Sequence, residues 1–245
     1  MSAFTIREAF TLGWERAKPR LGDLVLVALA YLAAVAGLTL LDLLLSKPMP
    51  MLGLLIQLIN AIIVGPIMVL GLLRAGLKTF DGQAPAPGDL FSEAQHLTRY
   101  WVAALALILP LLPLAALAGV AAAMGIALAG KGGGVMLLGG LSLGLLATAA
   151  GAAAVAVYLR LAYSSYFIID RGLEGWAAVK ASWAATRGHV WRLAGLLLAL
   201  LALNILGACA LLLGLLITLP ITLVASACVY RRLESDLAAR LAQGS

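Results

Sequence analysis

LAGLLLALLALNILGACALLLGLLITLPITLVASACV, residues 193–229, runs for 37 positions without a charged side chain. As a single helix it would measure about 55 Å, nearly twice the roughly 30 Å hydrocarbon core of a bilayer. It is long enough for two crossings, so the chain must fold back within it, and the turn is expected between Gly207 and Gly214. Working outward, apolar runs at 21–45, about 52–77, 100–129 and about 135–169 each reach membrane-crossing length. "SKPMPM" at 46–51 separates the first two, and "GKGGG" at 130–134 separates the next two. Pro110 and Pro113 fall inside the third, where they are expected to kink or loosen the helix. The expected fold is therefore an all-α polytopic membrane protein, with six transmembrane helices arranged as three hairpins and a single membrane domain spanning 1–245.

Composition agrees. The chain has 245 residues, of which 63% are hydrophobic and 11% charged, and a mean hydropathy of +1.05. Soluble domains run at roughly 45–50% apolar and about 25% charged. Residues 1–20 carry charges throughout and lack the apolar core of a cleavable signal, so the first span is expected to direct its own insertion. Cys209 and Cys228 lie inside apolar runs without CxxC or histidine-rich company, which points to packing rather than a disulfide or zinc.

Six crossings put both termini on one side. Of the 17 lysines and arginines, all but Lys47 and Lys131 fall on that side. By the positive-inside bias the termini are cytoplasmic, and the expected location is the plasma (inner) membrane of a prokaryote. The net charge of +6 then reads as a topology signal and an attraction to anionic lipid. Nucleic-acid binding does not account for where the charges lie.

All five tryptophans, Trp14, Trp101, Trp176, Trp183 and Trp191, share the basic side, where an amphipathic ring keeps its body in lipid and its N–H in the wet interface. "EGWAAVKASWAATRGHVWRLAG", 174–195, gathers three of them with Lys180, Arg187 and Arg192. Moved back by 169 positions, Trp183 meets Trp14, Val179 meets Phe10 and Arg187 meets Lys18; from there a step of 81 takes Phe10 to Phe91 and Lys18 to Arg99. "LLR" at 72–74, "YLR" at 158–160 and "VYR" at 229–231 close the even-numbered spans. The pattern suggests three repeats, at about 1–80, 81–171 and 172–245, each an interfacial helix followed by a hairpin. In the first, Ile6, Phe10, Gly13, Trp14 and Ala17 share one helical face, and Arg7, Glu8, Thr11, Glu15 and Lys18 the other, as in a helix lying in the headgroup plane. In the third, alanines surround Trp176, Val179 and Trp183, which predicts packing against protein on more than one side.

"EAFTLGWERAKPRLG" at 8–22, "APAPGDLFSEA" at 84–94, "IIDRGLEGWAAVKASWAATRGHVWRLAGLLL" at 168–198 and "LLITLPITLVASACVYRRL" at 215–233 resemble a prokaryotic group of six-span membrane proteins. The group includes the YciC-like proteins and the membrane domain joined to glycerophosphodiester phosphodiesterases. The most distinct motif is Ala-x3-Ser-Trp-x2-Thr-x-Gly at 178–188. The resemblance implies an all-helical membrane protein without an agreed molecular activity. It assigns phosphodiester hydrolysis to an appended soluble barrel, which is not expected in this chain.

Residues able to carry chemistry are few. His96 and His189 sit in different interfacial segments with no HExxH pattern, so neither metal binding nor acid–base work is indicated, and no cofactor is expected. "GKGGG" lacks the spacing and ending of a phosphate loop. Ser164 and Ser165 have no neighbouring base to make either a nucleophile, and are expected to bond to the preceding helical turn. Arg160, about 15 Å before Asp170 along an unbroken helix, is either an interfacial residue like Arg74 and Arg231 or an intramembrane charge needing Asp170 or a lipid phosphate as partner. Asn60, Gln57 and Asn204, with Thr148 and Thr218, either line a passage or serve as interhelical hydrogen-bonding groups. Gly140 and Gly144 form a GxxxG continued by Ala147 and Gly151, from which the fourth span is expected to be central.

These features lead first to a non-enzymatic membrane protein that binds lipids, anionic ones in particular, or a protein partner at the cytoplasmic leaflet. The alternative is a transporter or channel for a small molecule or lipid, built from three hairpins.

Overall fold

The structure, a computed structural model, describes residues 5–129, 134–209 and 214–243. Residues 130–133, Lys131 with them, and residues 210–213 lie outside the described residues. Every regular element among the described residues is helical, and six stretches are long and apolar enough to cross a membrane. Helix α1 (Ile6–Ala17) leads through a short 3-10 turn into α2 (Leu21–Ser46). The second crossing is α3 (Pro50–Ile59) and α4 (Gly65–Phe80), joined by a π-helical turn at Asn60–Val64. A four-residue α5 (Asp89–Ser92) precedes the hairpin of α6 (Leu97–Ala129) and α7 (Gly134–Leu161). Helices α8 (Ser164–Arg171) and α9 (Gly175–Ala185) then lead to the last pair, α10 (Val190–Cys209) and α11 (Leu215–Gln243). Leu43, Leu44, Leu109, Leu112, Leu198 and Leu206 are exposed on the outer faces, an arrangement that water would penalise and lipid tails accommodate.

The fold-back of the 37-residue apolar run falls where expected. A Cβ on Gly214 would collide with the Gly207 backbone, 2.5 Å from its carbonyl oxygen, and one on Gly207 would collide with the Thr218 side chain, so the two helices approach too closely there for any larger residue. The amides of Ile217 and Thr218 donate to the Gly214 carbonyl and start α11.

The centre of the bundle is α11, not the fourth span. Its apolar window is the most buried of the six, and α1, α2, α4, α9 and α10 all pack on it. Glycines on the helices that pack against it make this possible. A Cβ on Gly13 would sit 3.0 Å from the Ala225 Cβ, and one on Gly76 would sit 3.0 Å from the Leu223 carbonyl, so α1 and α4 lie almost backbone to backbone against it. Gly144 and Gly151 of α7, by contrast, face open space. Among the described residues, nothing packs on the small face of α7 at those two positions.

The fourth span is also not one continuous helix. It stops at Leu161, turns through Ala162 and Tyr163, and restarts as α8, with the Ser164 hydroxyl donating to the Leu161 carbonyl at 2.7 Å. The break seats α8 in the core, where Tyr166 stacks on Tyr230 at 5.1 Å and Phe167 meets the same ring edge-on at 5.1 Å. Gly172, at φ 63°, supplies the left-handed residue that ends α8, and Gly188, at φ 85°, does the same between α9 and α10.

A second backbone interruption is repaired by a tryptophan. Pro66 has no N–H to donate to the carbonyl of Ile62 four residues earlier, and the indole Nε1 of Trp101 donates to that oxygen instead, at 2.8 Å. Trp101 therefore ties the second crossing to the third in addition to marking a depth.

The three segments preceding the odd-numbered spans differ in form. α1 is a twelve-residue helix, N-capped by the Thr5 hydroxyl accepting from the Glu8 amide at 3.2 Å, with Ala9, Gly13 and Ala17 buried. The middle segment is only α5 and a 3-10 turn. α9 buries Gly175, Ala178, Val179, Ser182 and Ala185 against α6, α7, α8 and α11, so it packs on several sides as expected. Its small residues, more than its aromatic ones, face the protein. Trp176 and Trp183 stay largely exposed, as does Trp14 of α1, and Trp191 is 90% exposed.

Candidate functional site

The last turn of α7 and the body of α9 form one joint. Ser182 is fully buried, and its hydroxyl donates to the Arg160 carbonyl at 2.6 Å; the Thr186 hydroxyl donates to the same oxygen at 3.5 Å. Because α7 stops at Leu161, that carbonyl has lost its helical donor, and Ser182 of α9 supplies one in its place, while the Thr186 hydroxyl, at its margin, bonds more closely to the Ser182 carbonyl at 2.8 Å. One turn along, the Arg160 guanidinium lies over the Trp183 ring, 4.3 Å from its centroid. The Ala-x3-Ser-Trp-x2-Thr-x-Gly motif thus has a physical account. Ala178 allows close packing, Ser182 caps α7, Thr186 bonds back to the Ser182 carbonyl, Trp183 carries the guanidinium, and Gly188 makes the turn into α10.

Beyond Trp183 the joint opens into a surface cavity of about 560 Å³, lined by Arg160, Trp183, Ala184, Arg187, Leu237 and Arg240. Three arginines line this space, from the end of α7, the turn after α9 and the tail of α11. Arg240 donates to the Arg187 carbonyl at 3.3 Å, which ties the tail of α11 to the end of α9. No carboxylate is among the lining residues, and none of these three arginines forms an ion pair with a described residue. Three cations share one cavity without an internal counter-charge, which is the electrostatic requirement of an anion site.

Asp170 does not pair with Arg160. Its carboxylate accepts from the Tyr230 hydroxyl at 2.9 Å and from Arg231 Nη1 at 2.7 Å. Arg231 also reaches Asp81 at 2.6 Å and Glu234 at 3.3 Å, and Arg171 closes the group by pairing with Glu234. The break before α8 redirects Asp170 away from α7, so the two residues that a continuous helix would have stacked along one rod serve different clusters. Arg74, which closes the second span, is also neutralised, with Glu93 at 3.6 Å and the Ile169 carbonyl at 3.2 Å.

The polar residues expected at membrane depth are not gathered into one site. Gln57 donates to Asp42 at 3.0 Å across the first hairpin, Asn60 is exposed in the π-helical turn, and Asn204 donates to Thr222 at 3.0 Å between α10 and α11. Thr148 bonds to its own helix at the Gly144 and Leu145 carbonyls. The Asn204 Oδ1 and the Thr218 hydroxyl are buried without a hydrogen-bond partner, so the α10–α11 pair keeps unused polar capacity. His96 lies 3.5 Å from Glu93, and His189 lies 3.9 Å from Asp236.

Arg240 and Leu237 were not singled out by the sequence, and Arg187 was marked only as an interfacial residue. No periodicity links residue 240 to residue 160; the available hint was that Arg240 stands in a charged tail on the same side as the tryptophans. Compared with protein-family models, with curated proteins and with solved structures, the chain finds no match.

Proposed function

We propose that this integral membrane protein binds anionic lipid headgroups at the cytoplasmic leaflet, without turning them over, through Arg160, Arg187 and Arg240. The observation that carries the proposal is the cavity in which these three side chains meet without a carboxylate. A hydrogen bond to a charged group is worth about 1.5–3 kcal/mol net, and guanidinium forks match phosphate oxygens in a fixed, bidentate geometry. The stacking of Arg160 on Trp183 holds one fork in place before a ligand arrives, which lowers the ordering cost of binding.

Native mass spectrometry of the detergent-purified protein tests this. The wild type should retain anionic over zwitterionic phospholipid, and Arg160→Gln/Arg187→Gln/Arg240→Gln together should reduce that preference by about 10-fold or more. An unchanged preference would refute the proposal. The cytoplasmic assignment rests on the one-sided lysines and arginines. A cysteine placed at Lys47 should react with an impermeant thiol reagent from outside the cell, and reaction only after the cytosol is opened would invert the topology.

A further inference from the structure

Trp183 walls two cavities. On one side is the arginine cavity; on the other is a groove of about 380 Å³ between α6, α7 and α9, lined chiefly by Ala106, Pro110, Val157, Trp176, Val179 and Trp183. The groove is almost wholly apolar, and its single charged lining residue, Lys180, holds its Nζ 5.9 Å from the Trp176 ring. The two cavities follow each other along α9, the groove from Trp176 to Trp183 and the arginine cavity from Trp183 to Arg187.

Their order matches the depth profile of a lipid. On α7 the groove is lined by Val157 and Leu161, on either side of Arg160, and it reaches inward along Val157, three residues nearer the apolar middle of the span. On α6, Ala106 and Pro110 lie about 7 and about 13 Å beyond Trp101 along the helix, in the same inward direction. Charge at the rim and an apolar slot running inward from it would accept a head and a chain of one molecule.

Resting on the headgroup proposal above, we infer that the ligand is a membrane lipid carrying a terminal phosphate monoester. Its phosphate sits among Arg160, Arg187 and Arg240, and one of its chains sits in the α6–α7–α9 groove, with Trp183 at the junction. A monoester is favoured over a diester by charge and oxygen count. It carries about −1.5 to −2 charges and three terminal oxygens, against the single charge and two free oxygens of a diester, and three arginines line the space. Ala106 and Val157 contribute to the groove and not to the arginine cavity, so filling them tests the chain separately from the head.

The experiment titrates the purified protein with long-chain phosphatidic acid, dihexanoyl phosphatidic acid, long-chain phosphatidylglycerol and inorganic phosphate, reading each complex by native mass spectrometry. The wild type should bind long-chain phosphatidic acid at least about 10-fold more tightly than any of the other three. Ala106→Phe and, as an independent variant, Val157→Trp should remove most of the advantage of the long chain and leave dihexanoyl phosphatidic acid unchanged. Arg160→Gln/Arg187→Gln/Arg240→Gln should weaken both phosphatidic acids. If both groove variants bind the long-chain lipid normally while the arginine variant does not, the chain assignment fails and the headgroup proposal stands. Phosphatidylglycerol binding as tightly as phosphatidic acid would overturn the monoester assignment. Inorganic phosphate matching the long-chain lipid would overturn the lipid assignment, and an arginine variant without effect would remove the headgroup proposal itself.

Discussion

Arg231 and Arg160 each follow an even-numbered apolar run, in "VYR" and "YLR", yet they end in opposite electrostatic settings. Arg231 is held by Asp170, Asp81 and Glu234, which come from three separate parts of the chain. Arg160 lies on an indole ring, in a cavity it shares with two more arginines. A cation satisfied from three directions has little left to offer a ligand and fastens the loop after α4, the end of α8 and the tail of α11 together. A cation met by an aromatic face, with like charges beside it, keeps its hydrogen-bonding edge for something from outside. The same residue type at the end of an apolar run is a fastening in one case and a receptor in the other, and the placement of carboxylates decides which.

The largest expected effect lies on the fastened side. Arg231→Met leaves Asp170 in a mostly buried position, accepting only from Tyr230 and beside Arg171 at 3.7 Å. Removing one partner of a buried pair costs about 3–5 kcal/mol; with the Arg231 side chain 25% exposed, the lower end applies. Thermal unfolding in detergent should show a clear drop in Tm, partly recovered in Arg231→Met/Asp170→Asn, where the orphaned charge is gone. If the single variant were as stable as the wild type, the cluster would not be a fastening.

The receptor side sharpens the comparison in the other direction. Ala184 lines the arginine cavity from α9 and is partly buried. Ala184→Asp would give the three arginines the carboxylate that Arg231 already has. Stability should stay within about 1 kcal/mol of the wild type, as for a partly exposed ion pair, while retention of anionic lipid should fall by about 10-fold or more. Undiminished lipid retention in a folded Ala184→Asp protein would show that the missing counter-charge is not what makes the site.

How much of this was legible in the sequence depends on whether the signal was local. Six crossings follow from lengths of apolar chain, and the Gly207–Gly214 fold-back follows from one run being too long; neither needs knowledge of neighbours. The break at Ala162 and Tyr163 carries no glycine or proline and reads as more helix. It is imposed by the core, where seating Tyr166 and Phe167 around Tyr230 outweighs two continuous turns of α7. Without that break in view, the partner of Arg160 stays open between Asp170, a lipid phosphate and none at all. Arg187 could be placed at the interface by its tryptophan company, but its meeting with Arg240 is a long-range contact with no local trace.

Glycine shows the same limit at the smallest scale. Gly76 sits in the last turns of α4 and Gly144 within the apolar run of α7, and the sequence marks Gly144, through its GxxxG, as the point of close packing. In the structure a methyl group at Gly76 would meet the Leu223 carbonyl at 3.0 Å, whereas one at Gly144 meets nothing within 4 Å. Gly144→Ala should therefore leave the fold intact and stabilise it by up to about 1 kcal/mol through helix propensity. Gly76→Ala should gain nothing, because the same propensity is set against a displaced α11. Parallel thermal melts of the two variants measure the difference. If Gly144→Ala melted well below the wild type, that face of α7 would be covered in the membrane by something this chain does not supply, and the central position of α11 would describe only part of the packing.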